Sequence, residues 1–152
     1  KNLIKPDIQA NFWNGDPDID AVCRMIFKPE CNFKRSLFPF FSKKISPFNS
    51  QNTLITRKVI KDYFLFPHIG RMDDIWASFY VTSKKYRVLY NEPTVYQQRN
   101  VHNLIKDFKD EYIGYVNSLK LVESLYKNPE NIYNFLPKKS SLAFDEWKKI
   151  TD

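Results

Sequence analysis

Glycine is scarce in this chain, at Gly15, Gly70 and Gly114 only, and cysteine scarcer, at Cys23 and Cys31. Two cysteines at that spacing make neither a disulfide framework nor a zinc site. No stretch carries the phosphate-loop lysine motif, a Gly-x-Ser-x-Gly elbow or a His-Glu-x-x-His helix, so the spacing fits none of those catalytic sets. No apolar run reaches the length of a transmembrane helix, and no secretory signal pattern is visible. The absence of any Asn-x-Ser/Thr acceptor leans away from a glycosylated luminal protein and towards the cytoplasm.

What is present belongs to a folded domain. At 152 residues, 43% apolar and 16% aromatic, the chain has enough apolar bulk for one domain with a real core. A net charge of +7 permits an anionic partner but leaves nucleic acid, a nucleotide diphosphate and an acidic membrane surface all open. The sequence opens on Lys1 and reaches a Trp-x-Gly-Asp turn within its first turn signal, which reads as the second half of a longer enzyme.

Along the chain, Asn14-Gly15-Asp16-Pro17 is a turn, with Asp16 or Asp18 as a cap for a helix over Ile19 to Phe27. Ile19, Val22, Cys23 and Ile26 would form its buried face. Lys28 to Lys44 carries two prolines and no sustained period, so it reads as a long loop. A short strand turning into a helix is expected over Thr53 to Phe64. Asp73 would cap a helix over Asp74 to Lys84. A strand over Arg87 to Tyr90 should be interrupted at Glu92-Pro93 and resume at Thr94 to Gln97. The longest helix, from about Val101 to Tyr126, shows Val101, Leu104, Ile105, Phe108, Tyr112, Val116, Leu119 and Val122 on one apolar, buried face. The expected class is α/β, a mixed sheet covered by helices, with a short helical tail over residues 128–152.

Four polar clusters fall where strands end or helices begin: Asp16, Asp18 and Asp20; Asn49 to Asn52; His68 to Asp74; and Arg99 to Asn103. In an open α/β sheet that is where a ligand cleft forms. Each has a plainer explanation. The aspartates can serve as helix starts, Asn49 to Asn52 as an Asx-rich turn, Arg99 as a surface cation and His102 as a capping residue. Aromatics interleaved with basic residues in Lys34 to Phe48 could stack bases, but no RNA-recognition signature accompanies them. A basic binding module for nucleic acid or another acidic partner therefore stands beside the enzyme reading.

The tract Asp74-Ile75-Trp76-Ala77-Ser78-Phe79-Tyr80, followed by Pro93-Thr94-Val95-Tyr96-Gln97-Gln98-Arg99-Asn100-Val101-His102-Asn103 and an acidic Asp107-Phe108-Lys109-Asp110-Glu111, resembles the glycosyltransferase domain of the plant STELLO proteins. The upstream Trp13-x-Gly15-Asp16-Pro17-Asp18-x-Asp20 and Arg71-x-Asp73-Asp74-x-Trp76 are similar to the UDP-arabinopyranose mutase (reversibly glycosylated polypeptide) family. The resemblance implies a GT-A nucleotide-sugar-binding fold, of which residues 1–127 would be the acceptor-side part, and transfer of a sugar from a nucleotide-sugar donor to an acceptor sugar or glycan. It allows a Golgi location and makes nucleic acid an unlikely partner.

On that reading, Asp74, with Asp73 beside it, supplies the base for an acceptor hydroxyl. Arg71 and Arg99 offset the donor diphosphate. Asp16, Asp18, Asp20, Asn49, Gln51, Asn52 and His68 bind substrate, and Trp76 stacks on a sugar or base. His102 reaches a divalent cation, Mn or Mg, whose main ligands lie upstream of this chain.

Overall fold

The computed structural model describes residues 5–42 and 44–151. Its framework is a four-stranded mixed sheet in the order β2-β4-β1-β3. Strand β1 (Ile8–Gly15) and strand β4 (Val88–Gln97) run parallel at its centre, while β2 (Phe40–Phe41) and β3 (Thr53–Ile55) flank them antiparallel. Helices α1 (Ala21–Ile26), α2 (Arg57–Ile60) and α3 (Asp73–Ser83) lie between the two central strands in sequence, and α4 (Leu104–Lys127) and α5 (Lys138–Thr151) follow them. The fold is thus mixed α/β with one long helix in its C-terminal third.

The strand period decides which residues enter the core. Ile8 and Ala10 on β1 and Val88 and Tyr90 on β4 are buried, whereas their neighbours Gln9 and Leu89 are only half-buried. The buried four join Trp76, Ala77, Tyr80 and Val81 of α3, Leu121 and Leu125 of α4, and Phe144 of α5 in one cluster. No described helix is long and apolar enough to cross a membrane.

Several elements differ from expectation. β4 runs on through Glu92-Pro93, because the pairing with β1 shifts register there: Asn11 pairs Asn91, and Trp13 pairs Val95. A bulge at this point absorbs the missing proline N–H. Asp20, not Asp16 or Asp18, caps α1 through Cys23 N at 3.0 Å. Only Ala21 of that helix is buried, and Val22 and Ile26 are exposed. The stretch from Lys28 is pinned by a bridge between Cys31 and Gly15 and includes a 3-10 turn (Arg35–Leu37) and β2. Asp73 is not a cap: a 3-10 turn (Gly70–Met72) runs into α3, Met72 is at the N-cap position, and no side chain caps it.

The largest difference is in α4. Its buried positions are Glu111, Gly114, Leu121 and Leu125, while Ile105, Tyr112, Val116 and Leu119 are exposed, as is Val101 ahead of the helix. The face turned inward is polar at its N-terminal end because other elements use those groups. Ser118 accepts a hydrogen bond from Trp76 Nε1 at 3.0 Å, and Gly114 leaves room for the Met72 side chain.

Leu121→Ala should therefore destabilise the chain by about 2–5 kcal/mol, the range for a buried leucine. Val101→Ala should stay within about 0.5 kcal/mol. Urea denaturation of both variants checks the assignment of faces.

Candidate functional site

The site begins where β1 and β4 end side by side. Gly15 pairs with Gln97, and the Asp16 backbone N–H donates to the Gln97 carbonyl at 2.9 Å. Gly15 holds a positive φ of 94°, and a Cβ there would run into that carbonyl, so this close approach needs glycine. Beyond this point the two chains separate into loops that carry the first and fourth polar clusters, at the carboxyl ends of parallel strands.

Charge joins the loops again. Arg99 Nη2 lies 2.5 Å from Asp18 Oδ1, and the other oxygen of Asp18 accepts from Gln51 Nε2 at 2.8 Å. The Arg99 side chain is 9% exposed, and among the described residues its Nε has no hydrogen-bond partner. Its contact with Asp18 lies off the hydrogen-bond line, so Nη2 also remains unsatisfied. Asp16 pairs with Arg24 at 2.7 Å, and that bond holds its carboxyl below the usual range.

A second network reaches the site from α4. Gly70, with φ of 62°, lets its turn lie directly against the Asp110 carbonyl, where a Cβ would clash. The next residue, Arg71, then spans two carboxylates: Nη1 to Asp107 Oδ1 at 3.3 Å and Nε to Glu111 Oε1 at 3.2 Å. His102 Nδ1 lies 2.9 Å from the other oxygen of Asp107. Glu111 Oε2 accepts from the Ala21 N–H at 2.8 Å. Tyr115 Oη is 2.9 Å from both Glu111 Oε2 and Asp20 Oδ1, and its single proton serves one at a time. Burial, then these two carboxylates, push the Tyr115 phenol up.

Asp74 sits between the loops and α4. Its Oδ2 accepts from Ser50 N at 2.8 Å and from Ser50 Oγ at 3.1 Å. Burial pushes its carboxyl above the usual range, Ser50 pulls it back in part, and the charges of Asp73 and Asp18 add to the rise. The Tyr63 hydroxyl is buried without a partner among the described residues; burial, then the charges of Asp74 and Asp73, raise it.

Two clefts meet here. One, of about 350 Å³, is lined by Asp18, Asp20, Arg71, Asp74, Glu111 and Tyr115. The other, of about 370 Å³, is lined chiefly by apolar groups including Phe12, Trp13, Phe33, Phe48 and Tyr90. Asp18, Ile19 and Ile75 line both, so a charged trough and an aromatic trough share one wall.

Of the residues singled out by sequence, Asp16, Asp18, Asp20, Gln51, Arg71, Asp74, Arg99 and His102 belong to these networks. Asn49 lines the aromatic cleft, and its side chain accepts from the Gln51 N–H at 3.3 Å. Asn52 donates to the Phe12 carbonyl and to Thr94 Oγ1, which ties strands together. Asp73 makes no side-chain hydrogen bond among the described residues and stands one step inside α3. His68 is exposed, with a positive φ of 64°, and does not join the networks. Trp76 is fully buried in the core, so the stacking expected of it has no open ring face. Ser50 falls inside the Asn49 to Asn52 cluster, whereas Arg24, Tyr63 and Tyr115 belong to none of the four clusters. The signal for Tyr115 was its place four residues after Glu111, on one helix face.

Among the described residues no three His, Cys, Asp or Glu side chains gather to hold a metal ion. The Arg71 guanidinium on Asp107 makes the His102–Asp107 pair a poor seat for a divalent cation. Neither protein-family models nor curated proteins match the chain.

The raised pKa of Asp74 has a sign for stability. The fold holds the proton more tightly than the unfolded chain does, so the carboxyl's contribution is most favourable below its usual value of 3.8. That contribution declines as pH climbs through the raised folded value, then stays level. Wild-type stability measured relative to Asp74→Asn should fall over that acidic interval. A rise instead would show that the Ser50 bonds outweigh burial.

Proposed function

We propose that the chain is the acceptor-side part of a nucleotide-sugar-dependent glycosyltransferase of GT-A type. The observation that carries this reading is Asp74, a half-buried carboxylate, in a charged cleft that shares its Asp18 wall with an aromatic trough, while Arg99 meets the same Asp18 from a neighbouring pocket lined by Asp16, Tyr96 and Gln97. An acceptor sugar presents hydroxyls to the charged cleft and an apolar ring face to the aromatic one. Asp74 takes the proton of the attacking hydroxyl as the sugar leaves its diphosphate. Its raised pKa brings it closer to the strength such a base needs. Arg99, rather than Arg71, meets the anionic donor, because Arg71 is already neutralised by two carboxylates. The residues described here do not fit a divalent cation, so the Mn or Mg ion that the resemblance implies would take its ligands from elsewhere in a longer polypeptide.

A second reading rests on a different place. A groove of about 820 Å³ lies at the start of β4, away from both clefts, and includes Lys44, Lys85, Arg87 and Lys127. It would take a phosphate polymer, and binding there would weaken steeply with salt and ignore changes at Asp74.

Sugar transfer from a panel of nucleotide sugars separates the two, measured on this chain and on the longest polypeptide that carries it. Asp74→Asn should lower transfer by about a hundredfold or more while leaving donor affinity largely intact, the scale of a lost general base. Arg99→Gln should weaken donor affinity instead. Unchanged transfer by Asp74→Asn ends the base assignment.

A further inference from the structure

The outer side of α4 has an apolar pattern that its own fold engages only in part, through the Tyr115 hydroxyl at Glu111 and Asp20 and through the half-buried Phe108 and Val122. Ile105, Phe108, Tyr112, Leu119, Val122 and Tyr126, with the Tyr115 ring between Tyr112 and Leu119, recur at alternating steps of three and four along the helix. Leu119 is 73% exposed, Ile105 61% and Tyr112 and Tyr126 58% each, and the inward face is built from other residues altogether. At about 1.5 Å per residue this seam is about 30 Å long. A continuous apolar stripe of that length on a soluble surface marks an association site.

The charges beside the seam choose its occupant. On the open flank, the position one step beyond Phe108, Tyr115 and Val122 is held by Lys109, Val116 and Glu123. All three are exposed, and among the described residues neither Lys109 nor Glu123 forms an ion pair. The sign reverses about Val116, so this flank complements a copy of itself running the opposite way. We infer that α4 pairs antiparallel with α4 of a second copy of this chain. Phe108 then packs against Tyr126 of the second copy, Tyr112 against Val122, and Tyr115 against Leu119. Lys109 meets Glu123 twice about the two-fold axis, with Val116 beside its own counterpart. A parallel pair gains neither bond, because the opposite flank, at Glu111, Ser118 and Leu125, is turned into each copy's own core and interactions.

Light scattering and sedimentation of the 152-residue chain over a micromolar range should find a dimer. Leu119→Glu changes an exposed position, so circular dichroism should stay native while the dimer dissociates. Because the two-fold repeats each pair, Lys109→Glu alone or Glu123→Lys alone puts two like-charge contacts at the seam and should weaken association by about tenfold. The double variant K109E/E123K restores both pairs with reversed sign and should return to within about threefold of the original affinity. A chain that stays monomeric at the highest concentration, or a dimer indifferent to Leu119→Glu, overturns the inference. A double variant no better than either single one overturns the antiparallel arrangement.

Discussion

The parallel pairing of β1 with β4 is the constraint on which the rest of the molecule depends. Two parallel strands cannot be joined by a tight turn, so everything between Asp16 and Arg87 must cross from one end of the sheet to the other. That crossover carries α1, both edge strands and α3, and it buries the central strands against α3. It also leaves both carboxyl ends at one rim. The loops from Asp16 and from Gln98 therefore start side by side, and the Asp18–Arg99 contact follows from the topology.

The second constraint is the way α4 approaches. An apolar face would have docked without direction, whereas Arg71 between Asp107 and Glu111 fixes both the height and the rotation of the helix. Gly70 makes this possible by removing the one atom that would hold the turn away from Asp110. Glu111 in turn holds the first residue of α1 through Ala21 N–H. A helix start, a turn and a long helix thus meet at a single carboxylate, which is why that carboxylate is buried while most acidic groups on the surface are not.

How much of this could be read from the residues depended on whether the signal was local. The alternation of Val88 and Tyr90 and the stop at Asn128-Pro129 are short-range features, and they place the first part of β4 and the C-terminal end of α4, whereas the helix starts at Leu104 rather than Val101, with Asn103 and not His102 as its cap. The gathering of polar clusters at one rim followed from their places at strand ends. The inward face of α4 could not be found in this way. Periodicity identifies an apolar stripe, but it does not say whether the stripe has a partner, and here the fold chose Glu111, Gly114, Ser118 and Leu121 instead. Pro93 misled for a similar reason, since it stands in a bulge of β4 itself, where the pairing with β1 skips its missing donor. Trp76 looked like a binding residue from its neighbours in sequence, and its burial depends on residues of α4 and α5 far along the chain.

Arg99 holds a consequence of its own. Its guanidinium has been stripped of most of its water during folding, yet among the described residues its one carboxylate contact, with Asp18, leaves nitrogen protons unanswered. An anion arriving there need shed only its own hydration, because the cation's dehydration belongs to the folding equilibrium and not to the binding one. The same accounting runs backwards: an occupied Arg99 would make the fold more resistant to unfolding, so that ligand and fold hold each other in place.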